Sequence, residues 1–371
     1  MAITIKAAVA EDKGAPFTIE ELELEEPRAD EVLVRIVASG ICATDAHVWH
    51  QHIPTPLPVV LGHEGSGIVE RVGSAVTALK PGDHVVMSYQ SCGHCAPCLT
   101  SHAPYCDHAM EANFGGARLD GTVGVHRAGD EPKGKPVHGH FFGQSSFATH
   151  ALTTERNTVK VPDDVPLELL GPLGCGFQTG AGAVLNSFRV SAGESVAVFG
   201  VGAVGLAAIM AARVAAAGVI VAVDVNAERL ALAQELGATH TINPRDTDVA
   251  GELRRITGRG VNYVFETSVR KEMLQHAVNA LATLGQVGLV ASAGTDATVE
   301  VAKLALGNQI RGIVQGDAVP QLFIPELIRL FKAGQFPFDR LVRFYPFDQI
   351  NEAFAAAASG EVIKPILRIA H

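Results

Sequence analysis

The chain has 371 residues, of which 47% are hydrophobic and 18% charged, with 38 glycines. That is enough apolar material for roughly two domains with separate cores. A formal net charge of −10 and the lack of a clustered Lys/Arg run exclude a nucleic-acid-binding surface, which needs a basic face.

The opening residues, Met1–Lys6, lack a basic stretch followed by an apolar run of leader length. Apolar runs are broken by Gly, Pro or charge before reaching about 18 residues, so a membrane span is not expected. The longest, Leu206–Val223, carries Arg213 and reads as a core helix and strand. A cytoplasmic location follows as the expectation, and in a reducing compartment six cysteines serve as metal ligands or free thiols more readily than as disulfides.

Up to about residue 173, short apolar or alternating runs such as Glu31–Val37 and Asp83–Met87 are interrupted by Pro and Gly. They predict a mostly β domain with long loops. Within it, Cys42 lies in Gly40-Ile41-Cys42-Ala43-Thr44-Asp45-Ala46-His47, and His63 in Gly62-His63-Glu64-Gly65. With Cys175 in Gly174-Cys175-Gly176, these residues could form a three-ligand zinc site with one open position. Lone cysteines are equally at home as small core residues, so spacing alone leaves this open.

Cys92, Cys95, Cys98 and Cys106 follow a C-x2-C-x2-C-x7-C pattern, spaced by Gly, Pro and His. Four close thiolates suit one tetrahedral zinc and leave no position for substrate, so this ion should be structural. A disulfide pair or buried free thiols are the bland alternatives. His94, His102 and His108 lie nearby and are expected to be surface residues.

Residues 174–314 alternate continuous apolar strands (Ser195–Phe199, Val219–Val223, Tyr263–Phe265, Gln286–Val290) with helical patterns such as Ala227–Gly237. That predicts βαβ units and a parallel sheet. The turn Gly200-Val201-Gly202-Ala203-Val204-Gly205 follows the first strand and opens a helix. Its glycines permit a tight turn and close approach to a pyrophosphate at a helix N-terminus. Asp224 ends the next strand, where an acid suits the ribose diol of NAD and repels the 2′-phosphate of NADP; Arg229 could soften that preference. Residues 315–371 hold helical patterns at Ile324–Ala333 and Ile350–Ser359 and a final strand, Ile366–Ile369; they are expected to return and complete the first domain.

Taken together, the Cys42–His47 segment, Gly62–Gly65, the four-cysteine lobe, Gly174–Gly176 and the Gly200–Gly205 turn resemble the zinc-containing medium-chain alcohol dehydrogenases over essentially the whole chain. Asn113–Gly116, Phe141–Phe147 and Leu170–Gly176 point within it to the bacterial aryl-alcohol (benzyl alcohol) and geraniol dehydrogenase branch. The resemblance implies an α/β fold: a Rossmann-type doubly wound parallel-sheet domain (174–314), plus a mostly β, GroES-like catalytic domain (1–173, completed by 315–371). It implies that Cys42, His63 and Cys175 hold a catalytic zinc, that Asp45 orients His63, and that Glu64 can approach the metal. Thr44 would accept the substrate proton, and His47 would end a relay through the nicotinamide ribose. Thr179 and Val204 would lie near the nicotinamide and Lys364 would meet the pyrophosphate. Ala43 departs from the family, replacing a basic residue against the pyrophosphate, which should loosen cofactor binding.

The expected activity is oxidation of primary, benzylic or allylic alcohols with NAD and two zinc ions per subunit. Trp49, Tyr89 and Phe141 are candidate pocket walls, against the alternative of core packing. A glutathione-dependent formaldehyde dehydrogenase or a polyol dehydrogenase is the rival within the family; a non-catalytic NAD-binding module is the rival outside it. The family implies a homo-oligomer, with a tetramer favoured over a dimer.

Overall fold

The computed structural model describes residues 2–127, 136–268, 270–290 and 297–369. The chain forms two compact units: Met1–Cys175 with Val319–Glu326 and Asp339–His371, and Gly176–Ala318 with Leu327–Phe338. Among the described residues, no helix is long and apolar enough to cross a membrane.

In the first unit, strand Glu31–Gly40 is the organising element. It pairs antiparallel with Glu64–Val72, His150–Thr154 and Lys364–Arg368. Register places Gly40 opposite both Glu64 and Ile366. The chain after Gly40, the residues around His63 and Glu64, and Lys364 therefore meet at one end of the sheet. Both faces of the strand are covered, which explains its nearly unbroken apolar run. Val32, Val34 and Ile36 pack with Val85, Met87 and Phe147 on one side; Leu33 packs with Ile5, Ala7 and Leu22 on the other. Phe147 is fully buried, and such burial stabilises the fold by about 2–3 kcal/mol.

In the second unit, the strands run parallel in the spatial order 240–242, 219–223, 195–199, 261–266, 281–289, 309–312. Numbered along the chain this is 3-2-1-4-5-6, the doubly wound arrangement whose ligand crevice lies where the order reverses. That reversal is at Ser195–Phe199, flanked by Val219–Val223 and Val261–Glu266. The strands around Tyr263 and Gln286 are longer than the sequence pattern suggests, running Val261–Glu266 and Leu281–Leu289. Helix Ala227–Leu236 begins at Asn226, whose side chain accepts from the N–H groups of Glu228 and Arg229, and stops at Gly237.

The expected return of 315–371 to the first unit needs correction. Residues 315–318 and 327–338 belong to the second. The cause is packing. Phe338 lies 5.4 Å from Phe177 and is flanked by Phe331 and Phe336, while Gly316 presses against Gly182. The helix observed is Pro320–Lys332, and the last strand is Lys364–Arg368.

Candidate active site and metal centres

Cys42 leaves the end of Glu31–Gly40 and precedes helix Ala43–Trp49. Its backbone N–H donates to Asp45 Oδ2 at 2.9 Å. The other Asp45 oxygen accepts from Gly62 N (3.1 Å) and pairs with His63 Nδ1 (3.0 Å). One fully buried carboxylate thus fixes two loops. Gly62 has φ +92°, a conformation that favours glycine, and a Cβ there would collide with the backbone and ring of Phe147.

With Nδ1 engaged, His63 Nε2 is buried and has no hydrogen-bond partner. Ligand atoms of Cys42, His63, Glu64 and Cys175 all lie within 4.8 Å of one another. A buried imidazole nitrogen lacking a partner is costly. Beside two thiols it has the chemistry of a zinc ligand, so these residues fit zinc. Burial opposes charge on His63, yet the Asp45 carboxylate and the Cys42 sulfur lift it to about 10. The hydrogen bond between the two thiols holds Cys42 well below the usual thiol range and pushes Cys175 above it. Protons on this cluster leave when metal binds.

Glu64 departs from ligand behaviour. Lys364 Nζ donates to both its oxygens (2.7 and 2.9 Å) and to Ile41 O (3.0 Å). Burial raises the Glu64 carboxyl and Lys364 counters it; burial alone would lower Lys364, but the Glu64 charge raises it. This corrects the expectation that Lys364 meets a pyrophosphate. Only 2% exposed, with three acceptors around its ammonium, it neutralises Glu64 instead.

Thr44 is half-buried, its hydroxyl 3.8 Å from Cys42 Sγ. His47 is exposed in the last turn of the same helix, with its Nδ1 3.4 Å from His52 Nδ1. Ala43 is exposed. Phe141 meets His63 edge-on at 5.4 Å, while Phe142 stacks on it at 4.4 Å; both touch Phe114. Of the expected pocket walls, Phe141 packs against the candidate ligand His63 and is itself fully buried. Tyr89 is buried in the first unit's core. Trp49 packs on Phe17, His50 and Phe354 and donates its indole N–H to Ala15 O.

Sequence reasoning assigned no role to three supporting residues, although Phe142 and Gln144 lie in the Phe141–Phe147 segment. Phe142 holds a left-handed φ of 53°, and its neighbouring Phe141 and Gly143 were the only hint. Gln144 accepts from Gly65 N and donates to His63 O and Ser88 O. Ser88 in turn donates to Gly174 O at 2.6 Å. Gln144 and Ser88 therefore tie the loop of His63 to the loop of Cys175, a contact that the Phe141–Phe147 motif marks by position but not by role.

Ligand atoms of Cys92, Cys95, Cys98 and Cys106 also lie within 4.8 Å of one another. All are free thiols. Backbone N–H groups of Cys92 and His108 donate to Cys106 Sγ, and that of Cys95 donates to Cys92 Sγ. Burial pushes Cys106 up to about 12. Burial would also raise Cys95, but N–H groups from Asp107 and Cys98 hold it down to about 6. Four sulfurs with N–H···S support fit a closed zinc site.

In the second unit, Gly200 has φ +85°, and Thr267 Oγ1 donates to the carbonyls of Phe199 and Gly200, bracing the turn. A Cβ on Gly205 would strike the Gly200 carbonyl, whereas Gly202 faces open space. The turn enters helix Ala203–Val214, whose first amides are unused by the helix. Asp224 receives the N–H groups of Val201 and Asn226. Arg229 Nε is buried with no hydrogen-bond partner. Thr179 is buried on helix Gly176–Gly182, whose Gly180 abuts the Val204 carbonyl. A glycine cradle, a helix N-terminus and a strand-end acid fit a dinucleotide.

A buried Cys/His/Cys cluster in a β unit, together with a doubly wound dinucleotide unit, defines a metal-dependent, nicotinamide-linked dehydrogenase. The family model for the alcohol dehydrogenase GroES-like domain matches residues 28–163, and that for the zinc-binding dehydrogenase matches 203–333. A geraniol dehydrogenase of Castellaniella defragrans is 47% identical over 370 residues, covering 98% of each chain. A Burkholderia ambifaria alcohol dehydrogenase zinc-binding domain protein superposes with TM-score 0.97 at 53% identity, covering 100% of both chains. Benzyl alcohol dehydrogenase of Acinetobacter calcoaceticus superposes with TM-score 0.95 at 48% identity, covering 99% of this chain and 100% of that one. The chain belongs to the zinc-containing alcohol dehydrogenase family.

Proposed function

We infer that the chain reversibly oxidises primary allylic and benzylic alcohols to aldehydes with NAD. The observation offered for the substrate class is the aromatic cluster around the candidate metal ligand: Phe142 and Phe141 pack on His63, with Phe114 against both, within the first unit's core. Flat, unsaturated groups pair well with such rings. The relatives named for geraniol and benzyl alcohol support the same class.

Cys42, His63 and Cys175 hold the catalytic zinc, and Cys92, Cys95, Cys98 and Cys106 the structural one. Bound zinc is a Lewis acid that brings the pKa of an oxygen ligand from about 16 toward about 7. Asp45 keeps the proton on His63 Nδ1, so the Nε2 lone pair faces the metal. Lys364 neutralises Glu64 and keeps a second buried anion from weakening that centre. The Thr44 hydroxyl would accept the alcohol proton while releasing its own along a relay that ends at His47, exposed on the same helix, and from there to solvent. Gly200, Gly202, Gly205 and Asp224 would hold NAD, Thr179 and Val204 would lie near its nicotinamide, and Arg229 would moderate discrimination against NADP.

Catalytic efficiency for benzyl alcohol, geraniol and ethanol, each with NAD and with NADP, tests this reading. Benzyl alcohol and geraniol with NAD should lead; ethanol leading would overturn the substrate class. We also infer a cytoplasmic tetramer. Leu284, Val301 and Leu306 are exposed beside the edge strand Gln309–Gly312, where they support pairing of copies. A monomer in solution scattering would refute it.

A further inference from the structure

Two of the three histidines in the cysteine lobe come together. One ring nitrogen each of His94 and His108 and the Cys92 sulfur lie within 4.8 Å of one another. The ring centroids of His94 and His108 are 6.1 Å apart. Both imidazoles are exposed, while Cys92 is half-buried. His94 is tethered to its partner cysteine, with Nδ1 3.0 Å from the Cys92 carbonyl oxygen. His102 contacts Thr100 instead.

We propose that the lobe carries a third, outward-facing metal site, in which His94 and His108 bind a divalent transition-metal ion together with Cys92, a residue shared with the four-cysteine cluster. Imidazole nitrogens and a thiolate are the donors that zinc, copper and nickel prefer. A thiolate already held in the closed site keeps lone pairs free for a second ion. It accepts one backbone N–H, from Cys95. Water completes the shell, because both histidines face solvent. With two of its ligands on exposed side chains, the ion should exchange more freely than those of the two sites described above. No bond to carbon and no redox step is involved. The ion is held by the Cys92 sulfur and one ring nitrogen from each histidine, so the site stands independently of the alcohol chemistry.

The test uses the intact protein holding its two zinc ions, titrated with Zn²⁺ in equilibrium dialysis and with Co²⁺ in absorption spectroscopy. The expected result is a third equivalent of zinc. His94→Asn and His108→Asn should each weaken it at least about tenfold, since changes merely adjacent to metal ligands already cost 10–100-fold. His102→Asn should leave it unchanged. Cobalt in this site should show thiolate-to-metal charge-transfer absorption while the zinc content stays at two per chain. Failure to bind a third equivalent would overturn the proposal. So would a third equivalent indifferent to His94 and His108, or a cobalt spectrum free of thiolate charge transfer at constant zinc content.

Discussion

The two cysteine centres reach similar chemistry by opposite routes. The lobe of Cys92, Cys95, Cys98 and Cys106 is built within one short stretch of chain, partly open to solvent, with its sulfurs steadied by backbone N–H groups. The centre of Cys42, His63 and Cys175 is assembled from distant loops, has His63 fully buried, and is braced by Asp45, Gln144 and Ser88. The local site depends on its own short stretch of chain. The distant one depends on strand register, because Gly40 must face Glu64 for Cys42 and His63 to meet. A chemical site with an open position needs that external bracing, whereas a closed one braces itself.

The sharpest break of this contrast is to remove one ligand from each centre. Cys175→Ala should lower kcat/KM by about a thousandfold or more, since Lewis-acid stabilisation amounts to several kcal/mol. Zinc content should fall to one per chain, with the thermal midpoint little changed. Cys95→Ala should also cost one zinc, but with the opposite balance. The midpoint should fall by on the order of 5–10 °C, as expected for a few kcal/mol in a unit this size, while kcat of the folded protein survives. Metal analysis, steady-state kinetics and calorimetry on both variants would reveal equal effects if the division of labour is wrong.

Thr44→Ala separates proton handling from metal holding. Turnover should fall about 10²–10⁴-fold, the usual value of a positioned proton acceptor, with both zincs retained. Unchanged turnover would sink the role given to its hydroxyl.

Lys364→Met tests the bracing of the buried centre. It leaves the Glu64 carboxylate uncompensated, which typically costs about 3–5 kcal/mol. Adding Glu64→Gln should restore most of the loss, because the double variant buries no net charge. Denaturant unfolding measures both. If Lys364 acted chiefly on the cofactor, stability would hold and the KM for NAD would rise instead.

The same contrast explains what was legible in the sequence. The lobe could be read outright, since C-x2-C-x2-C-x7-C carries its own geometry. The dinucleotide unit was legible for a similar reason: Gly200–Gly205 and Asp224 lie on consecutive strand ends of one βαβ repeat. Gln144, Ser88, Phe142 and the true partner of Lys364 were not, because each acts through a contact set by tertiary pairing rather than by neighbours in the chain. Lys364 pairs with Glu64 because strand Lys364–Arg368 runs beside Glu31–Gly40. The return segment was misjudged for the same reason, since Phe338 joins the second unit through Phe177.

The smallest effect is expected at His47. It is exposed and lies outside the braced centre, with its ring against His52. Nothing buried depends on its ring, so His47→Gln should leave zinc content and stability unchanged. Solvent can stand in for a surface proton acceptor, but less well as hydroxide becomes scarce. The loss in kcat should therefore stay below about tenfold at alkaline pH and widen as pH falls, short of the 10²–10⁴ expected for a buried group. A kcat–pH profile of the variant, with His52→Gln alongside, decides the point. A large, pH-independent loss at His47 would mean that this exposed ring belongs to the rigid centre, and that solvent cannot replace it.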